Sequence, residues 1–175
     1  MIKTFFISDT HFSHKNIILF EPYYRPFKTI EEHDEVLIDR WNSVVNKNDI
    51  VWHLGDVIFS KDNMSMLSRL NGRKKLVLGN HDHYQTKAYL DYFEKLYGCI
   101  KWGKDTILSH IPISTQQFSS GRFKYNIHGH LHSKRVRCLY QPGTEIDDHR
   151  YINVSCEQID CTPIEWKVLQ ERYMK

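Results

Sequence analysis

The sequence predicts an α/β fold with layered sheets and helices on the outside. Two observations carry this: short apolar runs bounded by turn residues, and helical periodicity between the early ones but little between the later ones. The runs are Ile2 to Ile7, Ile50 to Leu54, Leu76 to Leu78, Thr106 to Leu108 and Tyr125 to Ile127. Each is too short for a helix, and its continuous apolar character suits a strand buried on both faces. Between the first two runs, Thr29-Ile30-Glu31-Glu32 has capping-box spacing, and Leu37, Trp41, Val44 and Val45 follow on one face, predicting a helix over residues 30–46. A second helix is expected at 62–70, with Met66, Leu67 and Leu70 inward. Val136 to Tyr140 and Tyr151 to Val154, flanking the loop Gln141 to Arg150, read as a hairpin. Thr162-Pro163-Ile164-Glu165 reads as an N-cap with Pro at the first helical position, opening a terminal helix through Trp166 and Leu169.

Length and composition set the class. The 175 residues predict one domain over 1–175 with a core large enough to fold without a staple. No apolar stretch reaches the length of a membrane span, and MIKTFFISDTH does not resemble a signal peptide, so a cytoplasmic protein is expected. The four cysteines form no CxxC pair and are expected to be reduced packing residues. A net charge of +3 is too small to argue for duplex DNA. The 11 histidines are the unusual feature.

Each of the five runs leads directly into residue types that bind metals: Asp9-Thr10-His11, Gly55-Asp56, Gly79-Asn80-His81-Asp82, His110, and Gly129-His130-Leu131-His132. One such cluster is most simply a polar turn. Five of them at the ends of five strands converge on a single cleft, because ligands of open sheets bind beyond the carboxyl ends of strands. This ordered set, covering residues 9 to 132, resembles the calcineurin-like metallophosphoesterase superfamily. The resemblance implies a four-layer-type two-sheet β-sandwich flanked by helices, with two metals at the carboxyl ends of the strands. It implies Asp9, His11, Asp56 and His132 around one ion, and Asp56, Asn80, His110 and His130 around the other, with Asp56 bridging. It gives His81 the catalytic role, with Asp82 as its orienting or structural partner. Gly55-Asp56 lacks the Arg-containing extension of the protein phosphatases, and Asp82 stands where they carry Glu, which points to a compact stand-alone phosphoesterase.

The donor set supports this independently. Imidazole with hard oxygen donors suits two divalent ions, Mn²⁺ first and Fe, Ni, Co or Zn as alternatives. Two such ions set against Asp9 and Asp56 leave a doubly positive site. A phosphodiester monoanion and one hydroxide neutralise it, whereas a monoester dianion and hydroxide overfill it. The expected activity is therefore hydrolysis of a phosphodiester in a nucleotide or similar small ester, by hydroxide held between the metals. A phosphomonoesterase or nucleotide pyrophosphohydrolase is the alternative, and a non-catalytic scaffold of the same fold a remote one. A histidine-rich metal store would not need every cluster at a strand end. No protein partner and no oligomeric state is indicated.

Residues 12–28 are long for a strand-to-helix connection, which makes His14 and Asn16 candidate substrate contacts. Arg122 is a further candidate. Arg25 could grip a phosphate as Arg122 could, but by default is exposed without a role; His33 and His149 are expected to face solvent or make local hydrogen bonds, and His53 and His128 to be packing or hydrogen-bonding neighbours of ligands. Phe20, Tyr23, Tyr24 and Phe27 are expected to anchor the long segment.

Overall fold

The computed structural model describes residues 1–174. Along the chain lie β1 (Thr4–Ile7), α1 (Ile17–Phe20), α2 (Ile30–Val44), β2 (Ile50–His53), β3 (Arg73–Val77), α3 (Thr86–Leu90), β4 (Lys95–Tyr97), β5 (Cys99–Trp102) and β6 (Thr106–Ser109). Then follow α4 (Gln116–Ser119), β7 (Tyr125–His128), β8 (Arg137–Gln141), β9 (Thr144–Asp147), β10 (Tyr151–Asn153), β11 (Ile164–Glu165) and α5 (Trp166–Tyr173). One sheet has the order β11-β1-β2-β3-β4, parallel except for β11; the other runs β10-β7-β6-β5, parallel except for β5. β8 and β9 form a separate hairpin.

Alternate side chains of the first sheet feed two cores, as a period of two requires. Phe5, Ile7, Val51 and Leu76 face α2, packing with Leu37, Ile38 and Trp41. Phe6, Trp52 and Val77 point the other way and meet Leu108, Ile127 and Ile152 of the second sheet. Strands with both faces covered account for the unbroken apolar runs, and the two-sheet α/β architecture agrees with expectation.

α2 forms as its sequence dictates: the Thr29 side chain accepts from the Glu32 amide at 3.1 Å, and Leu37, Ile38 and Trp41 are buried. It stops at Val44 because Val45 turns extended. The expected helix at 62–70 is a 3₁₀ helix over Met64–Arg69. Two other expectations are corrected. Val136–Tyr140 and Tyr151–Val154 do not pair; β8 folds back on β9 through Pro142-Gly143, and β10 joins β7 in the second sheet. Thr162 does not cap the terminal helix either. Ile164 and Glu165 pair antiparallel with Phe6 and Phe5 as an edge strand, so α5 starts at Trp166. Sheet pairing outweighs the local capping signal there.

β1, β2 and β3 end in register, Ile7 opposite His53 and His53 opposite Leu76, so the loops that follow them emerge side by side. Asp9 donates its amide to the Gly55 carbonyl at 2.9 Å, and His11 to that of Asp56 at 3.1 Å. Ser8 donates to Val154 at 2.9 Å and Gly129 to His110 at 3.0 Å, which brings the second sheet's loops to the same edge. No helix among the described residues is long and apolar enough to cross a membrane.

Candidate metal centre

The loop backbone is bent to a degree that ordinary turns avoid. Asp9, His11, Asp56, His130 and His132 all adopt left-handed φ, between 51° and 69°, a region costly for side chains other than Asn, Asp and Gly. The glycines make this packing feasible. A Cβ on Gly129 would strike the Ser8 side chain and the Asp9 carboxylate, and one on Gly79 would strike Asp56.

Two groups of donors result. Ligand atoms of Asp9, His11 and His132 lie within 4.8 Å of one another, as do those of Asp56, His110 and His130. Asn80 joins the second group, its Oδ1 at 2.9 Å from His110 Nε2. His11 Nε2 is buried without a hydrogen-bond partner and faces Asp9 Oδ1 at 3.9 Å and Asp56 Oδ2 at 3.7 Å. Those spacings are too long for hydrogen bonds but suit atoms that each sit ~2.0–2.2 Å from a shared ion. The remaining ring nitrogens are tied down: His110 Nδ1 lies 2.7 Å from the Leu54 carbonyl, His132 Nδ1 3.1 Å from Glu157, and His11 Nδ1 3.1 Å from His14 Nδ1. In each the Nε2 is the ring nitrogen turned toward the donor group, that of His110 beside Asn80 and Asp56.

The electrostatics favour cations. Burial works against a charge on Asp9, yet the imidazoles of His11, His110 and His132 hold its carboxyl well below the usual range. Burial likewise works against His110, but Asp56 and Asp9 push it up to about 9. His14 is held down to about 4, by burial first and then by His11 and His81. It is neutral at neutral pH.

His81 is exposed at the rim, its ring 4.9 Å from that of Phe59 and 6.0 Å from that of His11, while its amide donates to Asp56 Oδ1 at 2.9 Å. Asp82 is buried and does not orient His81. Its carboxylate accepts from the amides of Asp56 (2.8 Å), Gly79 (2.8 Å) and Val57 (2.9 Å), which makes it the knot joining the loops after β2 and β3.

The other expected residues divide. His14 lies in the cleft, stacked on Phe59 at 4.0 Å, with its Nδ1 facing His11. Asn16 is exposed at the start of α1 and makes no side-chain cap. Arg122 lies on the exposed turn after α4, over the Phe123 ring at 5.4 Å. Phe20, Tyr23 and Tyr24 are exposed at 67%, 84% and 40%, so of the aromatic group only Phe27 anchors the segment. His53 and His128 are buried neighbours as expected, His53 3.0 Å from Thr10 Oγ1, and His149 is exposed. Cys156 and Cys161 are buried free thiols in the core.

Arg25 is not a surface residue, and His33 has the local hydrogen-bonding role, its Nδ1 2.8 Å from Asp34 Oδ1. Both are fully buried, and Arg25 donates to the carbonyls of Asp9 (2.5 Å) and Thr10 (3.0 Å) and to Glu157 (2.7 Å). Sequence reasoning missed Glu157, which carries no motif and stands 132 residues from Arg25. Burial works against its charge, but His132 and Arg25 keep its carboxyl below the usual range.

A family model for calcineurin-like phosphoesterases matches residues 2–172. The chain belongs to that family. Membership makes it a metal-dependent phosphoesterase, in keeping with the two donor groups. Among curated proteins it is 35% identical over 168 residues to an uncharacterized protein of Methanocaldococcus jannaschii, covering 94% of this chain and 87% of that one. It is 33% identical to the Gene 66 protein of Mycobacterium phage L5, covering 78% of this chain and 80% of that one. A solved structure of a protein of unknown function from Aquifex aeolicus superposes with a TM-score of 0.75 at 29% identity, covering 98% of this chain and 99% of that one. The calcineurin-like fold thus spans nearly the whole chain.

Proposed function

We propose that this phosphoesterase is a binuclear phosphodiesterase that hydrolyses a nucleotide or similar small diester. The observation that carries the reading is the position of Asp56 Oδ2, 3.7 Å from His11 Nε2 in one donor group and 3.3 Å from His110 Nε2 in the other. One carboxylate oxygen facing both groups is what a bridging ligand requires. Asp9, His11 and His132 would complete one site, and Asn80, His110 and His130 the other. Two divalent ions, Mn²⁺ by preference, would act there as Lewis acids toward the phosphoryl oxygens and lower the pKa of water.

The chain's own residues do the rest. The exposed His81 ring stands 6.0 Å from that of His11, where it can donate a proton or hydrogen bond to the leaving oxygen. Phe59 and His14 form an aromatic wall beside it. Asp82 takes no proton from substrate; it holds the amides that aim Asp56. The positive balance of two ions over two carboxylates favours a monoanionic diester.

Turnover of metal-stripped protein reloaded with Mn²⁺ tests this on bis-p-nitrophenyl phosphate, p-nitrophenyl phosphate, 2′,3′- and 3′,5′-cyclic nucleotides and dinucleoside polyphosphates. Diesters are expected to lead. Faster turnover of the monoester makes it a phosphomonoesterase, and preference for dinucleoside polyphosphates a pyrophosphohydrolase.

A further inference from the structure

The Arg25–Glu157 pair asks for an account beyond folding. Both side chains are fully buried, with Arg25 Nε 2.7 Å from Glu157 Oε1. A buried ion pair is a poor stabiliser, since removing two charges from water offsets most of their attraction. This one is built into the wall of a single donor group. Arg25 Nη2 and Nη1 donate to the carbonyls of Asp9 and Thr10, next to the ligands Asp9 and His11, and Glu157 Oε1 lies 3.1 Å from Nδ1 of the ligand His132. The second group has its own support, the Asp82 carboxylate on the amides of Asp56 and Gly79.

We propose that Glu157 is the positioning residue of His132, with Arg25 as its buttress, and that the pair sets the affinity of the Asp9–His11–His132 site alone. The inference rests on the binuclear reading above. A carboxylate accepting from Nδ1–H fixes the tautomer with a bare Nε2 and makes that nitrogen a stronger donor. Arg25 holds the carboxylate in place, and its two main-chain bonds pin the Asp9 and Thr10 carbonyls beside the left-handed Asp9 backbone, φ 57°. Glu21, His132 and Glu157 also bring donor atoms within 4.8 Å of one another. Glu157 Oε1 is shared there by Arg25 Nε and His132 Nδ1, while Oε2 is buried without a hydrogen-bond partner.

The test is Mn²⁺ titration of the metal-stripped chain, in backgrounds that each retain one site. Glu157→Gln keeps the volume and removes the charge. In His130→Ala protein, which retains the Asp9 site, it is expected to weaken Mn²⁺ binding ~10–100-fold, the range typical of such supports. In His132→Ala protein, which retains the other site, it is expected to change binding less than about twofold, within the additivity of uncoupled positions. Arg25→Lys, which cannot make all three bonds at once, follows the same pattern. Equal weakening in both backgrounds, or none in His130→Ala, overturns the proposal. Should the wild-type chain bind a single Mn²⁺, the binuclear reading falls by itself. Glu157→Gln must then still weaken that ion, and only while His132 is present, or the positioning role falls too.

Discussion

Among the five left-handed residues of the donor groups, His11, His130 and His132 hold strain of ~1–3 kcal/mol each, and such strain persists only where its surroundings over-determine it. Asp56 shows what the left-handed backbone serves. At φ 56° its carboxylate faces both donor groups, one oxygen toward His11 and His110 and the other accepting from the His81 amide. Asparagine tolerates left-handed backbone well, so Asp56→Asn removes charge with little change in strain. It is expected to lose metal at both positions, read as bound ions per chain after dialysis; retention of two ions would refute the bridging role. His81→Ala separates ligand from catalyst. It should keep close to two ions and lose ~10²–10⁴ in turnover, because its ring stands at the rim and only its amide supports Asp56. A parallel fall in metal content would make His81 a ligand. The donor residues were legible because each follows closely on the end of an apolar run. Arg25 and Glu157 were not: an arginine in a connecting loop is by default exposed, and no local pattern marks a partner 132 residues away.

At the scale of elements, the segment between β1 and α2 turns out to be a delivery arm rather than a hydrophobic anchor. It brings His14 against His11 and Arg25 beneath Asp9, while Phe20 and Tyr23 stay exposed. His14→Ala is therefore expected to lower Mn²⁺ affinity of the Asp9 site as well as raise KM, since it removes the acceptor facing His11 Nδ1. A pure KM effect with unchanged metal affinity would leave His14 a substrate contact only. The loops after β2 and β3 depend on Asp82 in the same way. Asp82→Ala strips the acceptor from three amides, each worth ~1–3 kcal/mol when left unmet in the interior. Urea denaturation should show a loss of at least about 3 kcal/mol, and a loss below 1 kcal/mol would show that water replaces the carboxylate. α2 was readable because cap and periodicity agree. The edge strand at Ile164–Glu165 was not, because its pairing with β1 is invisible to a local reading of Thr162-Pro163.

Across the whole molecule, the donors come from both sheets. Asp9, His11, Asp56 and Asn80 follow strands of the first, and His110, His130 and His132 follow strands of the second. The layered architecture was legible from the strand-rich second half. The pairing that seats β10 beside β7 was not, since short strands specify burial better than partner. A metal in either group ties one sheet to the other across their shared edge, so occupancy should stabilise the fold as a unit. Each ion present at a hundred times its Kd adds about 2.7 kcal/mol to the native state. For a chain of 175 residues that corresponds to a rise in Tm of about 5–10 °C per ion. Thermal melts of the wild-type chain in Mn²⁺ and in chelator should differ by two such increments, one for each ion, with the rise continuing as Mn²⁺ concentration increases. Asp56→Asn, which lacks the shared ligand, should melt at nearly the same temperature in both. An Mn²⁺-insensitive Tm in the wild type, beside confirmed binding, would mean that the unfolded chain holds the ions as tightly as the folded one, and that the centre does not tie the sheets together.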